Sequence, residues 1–208
     1  MTSSRELVAI YADESCLGNG REGENPGGAG ALVEYRRGGS GPIVRRDVWL
    51  CEPATTNNRM ALRSVIETMH ELGAKGGSFD VVFTTDSRYI VDGMTEWTHG
   101  WARRGWTRKA GPIENLKLWF AAIDALDSHR VRWQWVRGHA GHAQNEYANH
   151  LATTAAATQT ASNGLVASRF DDWYASDGAK HADPQPFPDL ESFRPHPSPP
   201  APPSASAR

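Results

Sequence analysis

An α/β fold built on a five-stranded mixed sheet flanked by helices is predicted by two observations. Five short apolar segments bounded by turn residues read as strands, and stretches with apolar residues at helical spacing lie between and after them. Residues 6–15, Glu-Leu-Val-Ala-Ile-Tyr-Ala-Asp-Glu-Ser, form the first strand, which ends in polar residues, and a glycine-rich loop follows from Gly18 to Gly30. Residues 31–36 and 43–51 are the second and third strands, joined by a turn whose glycines and proline break any regular element. Thr55-Thr56-Asn57-Asn58 supplies a cap for a helix that carries Met60, Leu62, Val65, Ile66, Met69 and Leu72 on one face and stops at Gly73. Residues 79–85 are a short apolar strand with Asp86 directly after it. Helical segments fill 87–126, with breaks expected at Gly100, Gly105 and Gly111-Pro112. Residues 130–136 alternate as the fifth strand, and a last helix runs from about His142 to Ala157.

Residues 1–157 are thus expected to form one domain. A C-terminal extension, 158–194, is expected to be partly ordered at best, and the Pro/Ser/Ala-rich tail 195–208 to be disordered, since it offers no apolar residues for a core. Leu165 to Phe170 and Trp173-Tyr174 are either an apolar patch that packs back on the body or part of an appended linker. No apolar run is long enough to span a membrane, which takes about eighteen residues or more. The first residues lack the apolar stretch of a signal peptide. Cys16 and Cys51 stand far apart, as buried thiols in a reducing cytoplasm would. The net charge of −2 conceals an uneven distribution. Arg103, Arg104, Arg108 and Lys109 form one basic stretch and Arg130, Arg132 and Arg137 another, whereas Asp171, Asp172, Asp177, Asp183, Asp189 and Glu191 face only Lys180. A basic stripe of this kind is compatible with phosphate binding whatever the total charge.

Asp13 and Asp86 each fall at the carboxyl end of a predicted strand, the edge at which α/β sheets bind ligands. Two carboxylates at one edge repel each other unless cations neutralise them, and hard cations such as Mg2+ prefer oxygen donors. Alternatively, each aspartate simply caps the segment that follows it. Gly138-His139-Ala140-Gly141-His142 follows the last strand at the same edge and offers either a mobile proton carrier or an ordinary turn.

Taken together, these segments closely resemble the type 1 ribonuclease H family. The resemblance is carried by Asp13 to Asn19, Pro26-Gly27-Gly28, Thr55 to Met60, Thr85 to Tyr89, Trp97 to Trp106, and Trp133 to His142 with Asn145-Glu146, in family order over roughly residues 6–157. It implies a ribonuclease H-like fold, metal-assisted endonucleolytic hydrolysis of the RNA strand of RNA–DNA hybrids with 5′-phosphate and 3′-hydroxyl ends, and Mg2+ or Mn2+ as cofactor. It also implies a monomer whose partner is the hybrid, without a membrane or a small-molecule cofactor. Asp13 and Asp86 occupy two metal-ligand positions, and His139 the position of a histidine that assists proton transfer or product release. Asn19, Asn57, Asn58 and Arg88 match positions lining the minor groove, where 2′-hydroxyls distinguish RNA from DNA. Trp97, Trp101, Trp106, Arg103, Arg104 and Lys109 match a basic protrusion that holds the DNA strand. A small hydrophobic cluster is the alternative for the tryptophans, Trp97 and Trp106 in particular.

Two departures stand out. Where the family has a Glu after Met60 this chain has Ala61, and where it has an Asp four residues after Asn145 this chain has Asn149. Asn149 keeps a coordinating oxygen but no charge. Glu14, at a position where the family usually has Gly, is the leading replacement ligand, although neighbouring strand residues point to opposite faces. Glu22 and Glu24 are further candidates, and His150 beside Asn149 would suit a softer metal, with Mn2+ then preferred. The alternatives are a catalytically inert hybrid-binding module, a deliberately inactivated variant, and a nuclease tuned to RNA–DNA junctions.

Overall fold

Alternation along β1 (Glu6–Cys16) puts Val8, Ile10 and Ala12 on one face of the sheet and Ala9 and Tyr11 on the other, and helices cover both faces. The computed structural model describes residues 5–18, 25–177 and 183–203. β1 pairs antiparallel with β2 (Gly27–Arg36), and β2 with β3 (Ile43–Glu52). On its other side β1 pairs parallel with β4 (Phe79–Thr85), and β4 with β5 (Arg130–Trp135). A short β6 (Val166–Ala167) joins the outer edge of β3, so among the described residues the sheet has six strands, in the order β5-β4-β1-β2-β3-β6. The expected count of five is corrected by this strand, which is too short to leave a periodic signal in the sequence.

α1 (Asn57–Gly73) is capped by the Thr56 hydroxyl, which accepts the Arg59 N–H at 3.4 Å. It buries Met60, Leu62, Val65 and Met69 and shares the face of Val8, Ile10 and Ala12 with α4 (Leu116–Ala125) and its fully buried Trp119. α5 (Ala143–Thr158) covers the opposite face and approaches β2 closely. A Cβ at Gly28 would lie 2.2 Å from the Ala152 carbonyl oxygen, and one at Gly30 2.5 Å from Leu151 Cβ. Gly28 and Gly30, which read as loop, are therefore strand residues under a helix, and β2 begins at Gly27.

The 87–126 stretch divides into α2 (Arg88–Asp92), a π-helical turn at Gly93–Trp97, α3 (Thr98–Arg103) and, after an irregular segment, α4. Gly105 and Gly111 take positive φ and lie between α3 and α4 as expected. Gly100 lies inside α3 and breaks nothing, because a single glycine costs a packed helix only about 1 kcal/mol.

Of the two alternatives for the C-terminal extension, its described residues take the one in which it packs back on the body. α6 (Phe170–Asp177) inserts Phe170 against Tyr147, and Phe193 is buried with Leu7 and Val82. The His196 N–H donates to the Val131 carbonyl at 2.9 Å, and the Trp133 N–H donates to His196 Nδ1 at 3.1 Å. Disorder from residue 195 is thus corrected for 195–203. The open edge of β5 offers unpaired backbone groups, and an extended proline-rich chain, which needs no internal hydrogen bonds, can satisfy them once Phe193 anchors it. The expectation for 204–208 lies outside the described residues. Among the described residues, no helix is long and apolar enough to cross a membrane.

Candidate active site

Strand ends place the acidic residues. Asp13 and Glu14 are neighbours near the end of β1, and Asp86 follows the last residue of β4, the parallel neighbour. By alternation Asp13 belongs to the α5 face and Glu14 to the α1 face, the face on which Ala61 is buried. Opposite faces do not keep the two apart here, because the β1–β4 pairing stops at Ala12 and Thr85, and Asp86 lies just beyond it. One carboxylate oxygen from each of Asp13, Glu14 and Asp86 lies within 4.8 Å of the others, the cluster of possible metal-holding acids found among the described residues.

Burial raises all three carboxyls, and repulsion from neighbouring acids adds to it. Asp13, 6% exposed, is pushed up to about 8, chiefly by desolvation and then by Asp86, although the Glu14 N–H and the Asn145 amide favour its charged form. Glu14 is raised by desolvation and then by Asp13 and Asp86, with the Ser87 side chain opposing. Asp86 is raised by desolvation, against which His139 acts. The Asp13 carboxylate accepts the Glu14 N–H at 2.7 Å on Oδ1 and the Asn145 Nδ2–H at 3.1 Å on Oδ2. Three converging carboxyls whose ionisation is disfavoured without a cation form an oxygen-rich set that suits a hard divalent one.

The other expected residues are held by different elements. Asn149 is half-buried on α5, one turn beyond Asn145, and its Oδ1 accepts a 3.5 Å hydrogen bond from Thr153. His139 is exposed on a left-handed turn, with φ of 52°, and its Nδ1 lies 3.7 Å from Glu146 Oε2. Asn57 and Asn58 open α1, and Asn57 Oδ1 is buried without a hydrogen-bond partner. The Arg88 guanidinium sits 3.9 Å above the Trp135 ring. Asn19, Glu22 and Glu24 lie outside the described residues. His150 points elsewhere, its ring 6.2 Å from both Tyr147 and Trp173, so the structure does not bring it to the trio.

In the protrusion, Arg103, Arg104 and Lys109 are exposed, as expected of phosphate contacts. Its tryptophans differ from one another. Trp97 is 37% exposed, Trp106 is half-buried edge-on against Phe120, and Trp101 is only 8% exposed, wedged between Trp97 and Trp119. Trp101 is therefore the most core-like of the three, where the sequence pointed to Trp97 and Trp106.

Sequence reasoning gave no role to Asn145, Ser87, Glu146, Trp135 or Gly138, all of which border the trio. Each stands inside or next to a quoted motif, but only a side-chain contact distinguishes it from its neighbours.

Comparison with known proteins agrees with this geometry. The RNase H family model matches residues 5–157. The ribonuclease H of Pectobacterium carotovorum subsp. carotovorum (strain PC1) is 41% identical over 157 residues, covering 75% of this chain and 94% of that one. That of Erythrobacter litoralis (strain HTCC2594) is 42% identical over 154 residues, covering 74% and 98%. Among solved structures, LC9-RNase H1, described as a type 1 RNase H with the type 2 active-site motif, superposes with a TM-score of 0.92 at 65% identity over 99% of each chain. The matched segment holds β1 to β5, the carboxylate trio and the helices that frame it, and the chain belongs to the type 1 ribonuclease H family.

Proposed function

We propose that Asp13, Glu14 and Asp86, with the Asn149 side-chain oxygen as a neutral fourth donor, form the divalent-metal site of this ribonuclease H. The enzyme hydrolyses the RNA strand of RNA–DNA hybrids endonucleolytically, and in our reading the cut leaves 5′-phosphate and 3′-hydroxyl ends. The observation that carries the metal site is the convergence of the three carboxylates within 4.8 Å. Glu14 rises from the α1 face, where Ala61 offers no ligand, so a strand residue takes over the charge that a helix residue supplies elsewhere in the family. LC9-RNase H1, a type 1 enzyme with the type 2 active-site motif, is a precedent for a rearranged set on this fold. Such a replacement disfavours an inert hybrid-binding module.

When bound, divalent ions supply an activated water and stabilise the departing oxygen. The chain's own residues do the rest. The Asn145 amide and the Glu14 N–H donate to the Asp13 carboxylate and orient it, opposing in part the burial that favours its protonated form. His139, exposed beside Glu146, carries protons at the cleft or helps the product leave. Asn19, Asn57, Asn58 and Arg88 read 2′-hydroxyls and phosphates along the minor groove. Trp97 and Trp106 pack on the DNA strand while Arg103, Arg104 and Lys109 meet its phosphates, with Trp101 as the floor beneath Trp97. Mg2+ demands near-ideal octahedral geometry, so a set that includes a neutral amide favours the more tolerant Mn2+. One chain supplies every proposed ligand, which suits a monomer, and residues 1–157 carry the catalytic parts. Both cysteines are free thiols, in keeping with a cytoplasmic enzyme.

A labelled hybrid incubated with wild type, Glu14→Ala and Asp86→Asn, with Mg2+ and Mn2+ titrated separately, tests the reading. Cleavage by the wild type, higher in Mn2+ and lost in both variants and in chelator, is expected. Full activity in Glu14→Ala would remove Glu14 from the ligand set.

A further inference from the structure

Trp135, the last residue of β5, is paired with Thr85 immediately before Asp86, and its ring is 38% exposed at the catalytic edge. Its side chain makes two contacts that point in different functional directions. The indole Nε1–H donates to the Asp86 carbonyl oxygen at 3.0 Å, which fixes the peptide from which the Asp86 carboxylate hangs. Its ring face lies under the Arg88 guanidinium, 3.9 Å from ring centroid to Cζ. Among the described residues, the carboxylate nearest the Arg88 guanidinium is that of Asp92 at 3.9 Å, and the side chain remains 60% exposed. An arginine on a long stem is a poor substrate contact until its stem is immobilised, and an aromatic face immobilises it while leaving the planar donor fork open. A buried core tryptophan would show neither the exposure nor the stacked cation.

We propose that Trp135 is a positioning residue that couples the metal edge to substrate binding. Its N–H orients Asp86, and its ring presents Arg88 to a phosphate of the hybrid. This inference rests on the reading of Asp86 as a metal ligand given above. The two contacts belong to different parts of one side chain, so they can be separated. Phe keeps the ring face and loses the donor, whereas Leu keeps apolar bulk and loses both.

The test compares wild type, Trp135→Phe, Trp135→Leu, Arg88→Ala and the Trp135→Leu/Arg88→Ala double variant, with folding checked by circular dichroism. Hybrid affinity is read by fluorescence anisotropy in chelator over a range of KCl, and initial rates are read over a range of Mn2+. Trp135→Phe is expected to bind hybrid within twofold of wild type but to need about fivefold more metal for half-maximal rate, the loss of one hydrogen bond. Trp135→Leu is expected to bind about three- to tenfold more weakly as well, and its salt slope should drop by about one, as in Arg88→Ala. The double variant should bind no more weakly than Arg88→Ala alone. An unchanged metal requirement in Trp135→Phe, or losses in affinity that multiply in the double variant, would overturn the proposal. A wild type that fails to cut in any metal sinks the catalytic reading instead, and the anisotropy arm still decides whether Trp135 presents Arg88.

Discussion

Gly138 stands so close to Asp86 that a β-carbon on it would lie 2.1 Å from Asp86 Oδ2. The loop that carries His139 is thereby pressed against a carboxylate of the proposed metal site, and only a residue without a side chain allows both positions. Gly138→Ala is expected to displace Asp86 and to lower hybrid cleavage by about 100-fold, equivalent to ~2.7 kcal/mol of transition-state stabilisation. Its thermal midpoint should stay near that of the wild type, because the loop is exposed. Steady-state rates and a melting curve on the same preparation check this, and wild-type activity in the variant would refute the steric claim.

Glu14 and Ala61 share one face of the sheet and form a reciprocal pair in this reading. Glu14→Gly should reduce cleavage by about 100-fold or more. Adding Ala61→Glu to that variant restores the family's arrangement and should recover at least about tenfold of the loss. Ala61→Glu alone, which crowds a fourth acid into the recess, should lower metal-free stability. Rescue assays over a metal titration decide whether the two positions are alternatives.

The raised carboxyls predict a pH dependence with a definite sign. Asp13 holds its proton to about pH 8 in the folded protein, whereas an unfolded aspartate releases it near pH 4. Between these values the native state binds the extra proton, so the stabilisation is complete below about pH 4 and is lost as pH rises through 8. Glu14 and Asp86 shift in the same direction. In chelator the melting temperature should therefore fall from pH 5 to pH 8.5, and added Mn2+ should stabilise most at the upper end, where it no longer competes with protons. A metal-free melting temperature that rises over this interval would contradict the buried, protonated cluster.

The C-terminal segment is expected to stabilise rather than to catalyse. Removing residues 160–208 deletes Phe170 and Phe193, each buried against the sheet and each worth roughly 1.5–3 kcal/mol of apolar burial. It also reopens the β3 and β5 edges. The truncated protein should still cut hybrid but melt at least about 5 °C lower. Its activity, measured well below the new midpoint, separates the two roles.

Much of this was legible in the residues themselves. Alternation in β5 and helical spacing in α1 indicated the strand and the core-facing helix residues, because both periods are properties of the local backbone. The placement of Asp13 and Asp86 at strand ends followed from where apolar runs stop. Glu14 was legible as an unexpected acid beside Asp13, but its reach was not. Strand geometry taken alone sends it away from Asp13, and only the end of β4, with Asp86 and Ser87 beside β1, lets the carboxylates meet. Other features depended on contacts between distant segments. Gly28 and Gly30 read as loop until α5 is laid across them, and the proline-rich run at 195–203 has no local reason for order until the edge of β5 offers it hydrogen bonds. Trp101 and Trp97 carry the same side chain, and their neighbours in space decide which is floor and which is surface. The sequence by itself thus determined the fold class, the family and the strand-end aspartates, since these rest on local period and motif. Only the tertiary structure decided which side chains touch the metal edge, because burial and convergence are created when remote elements pack.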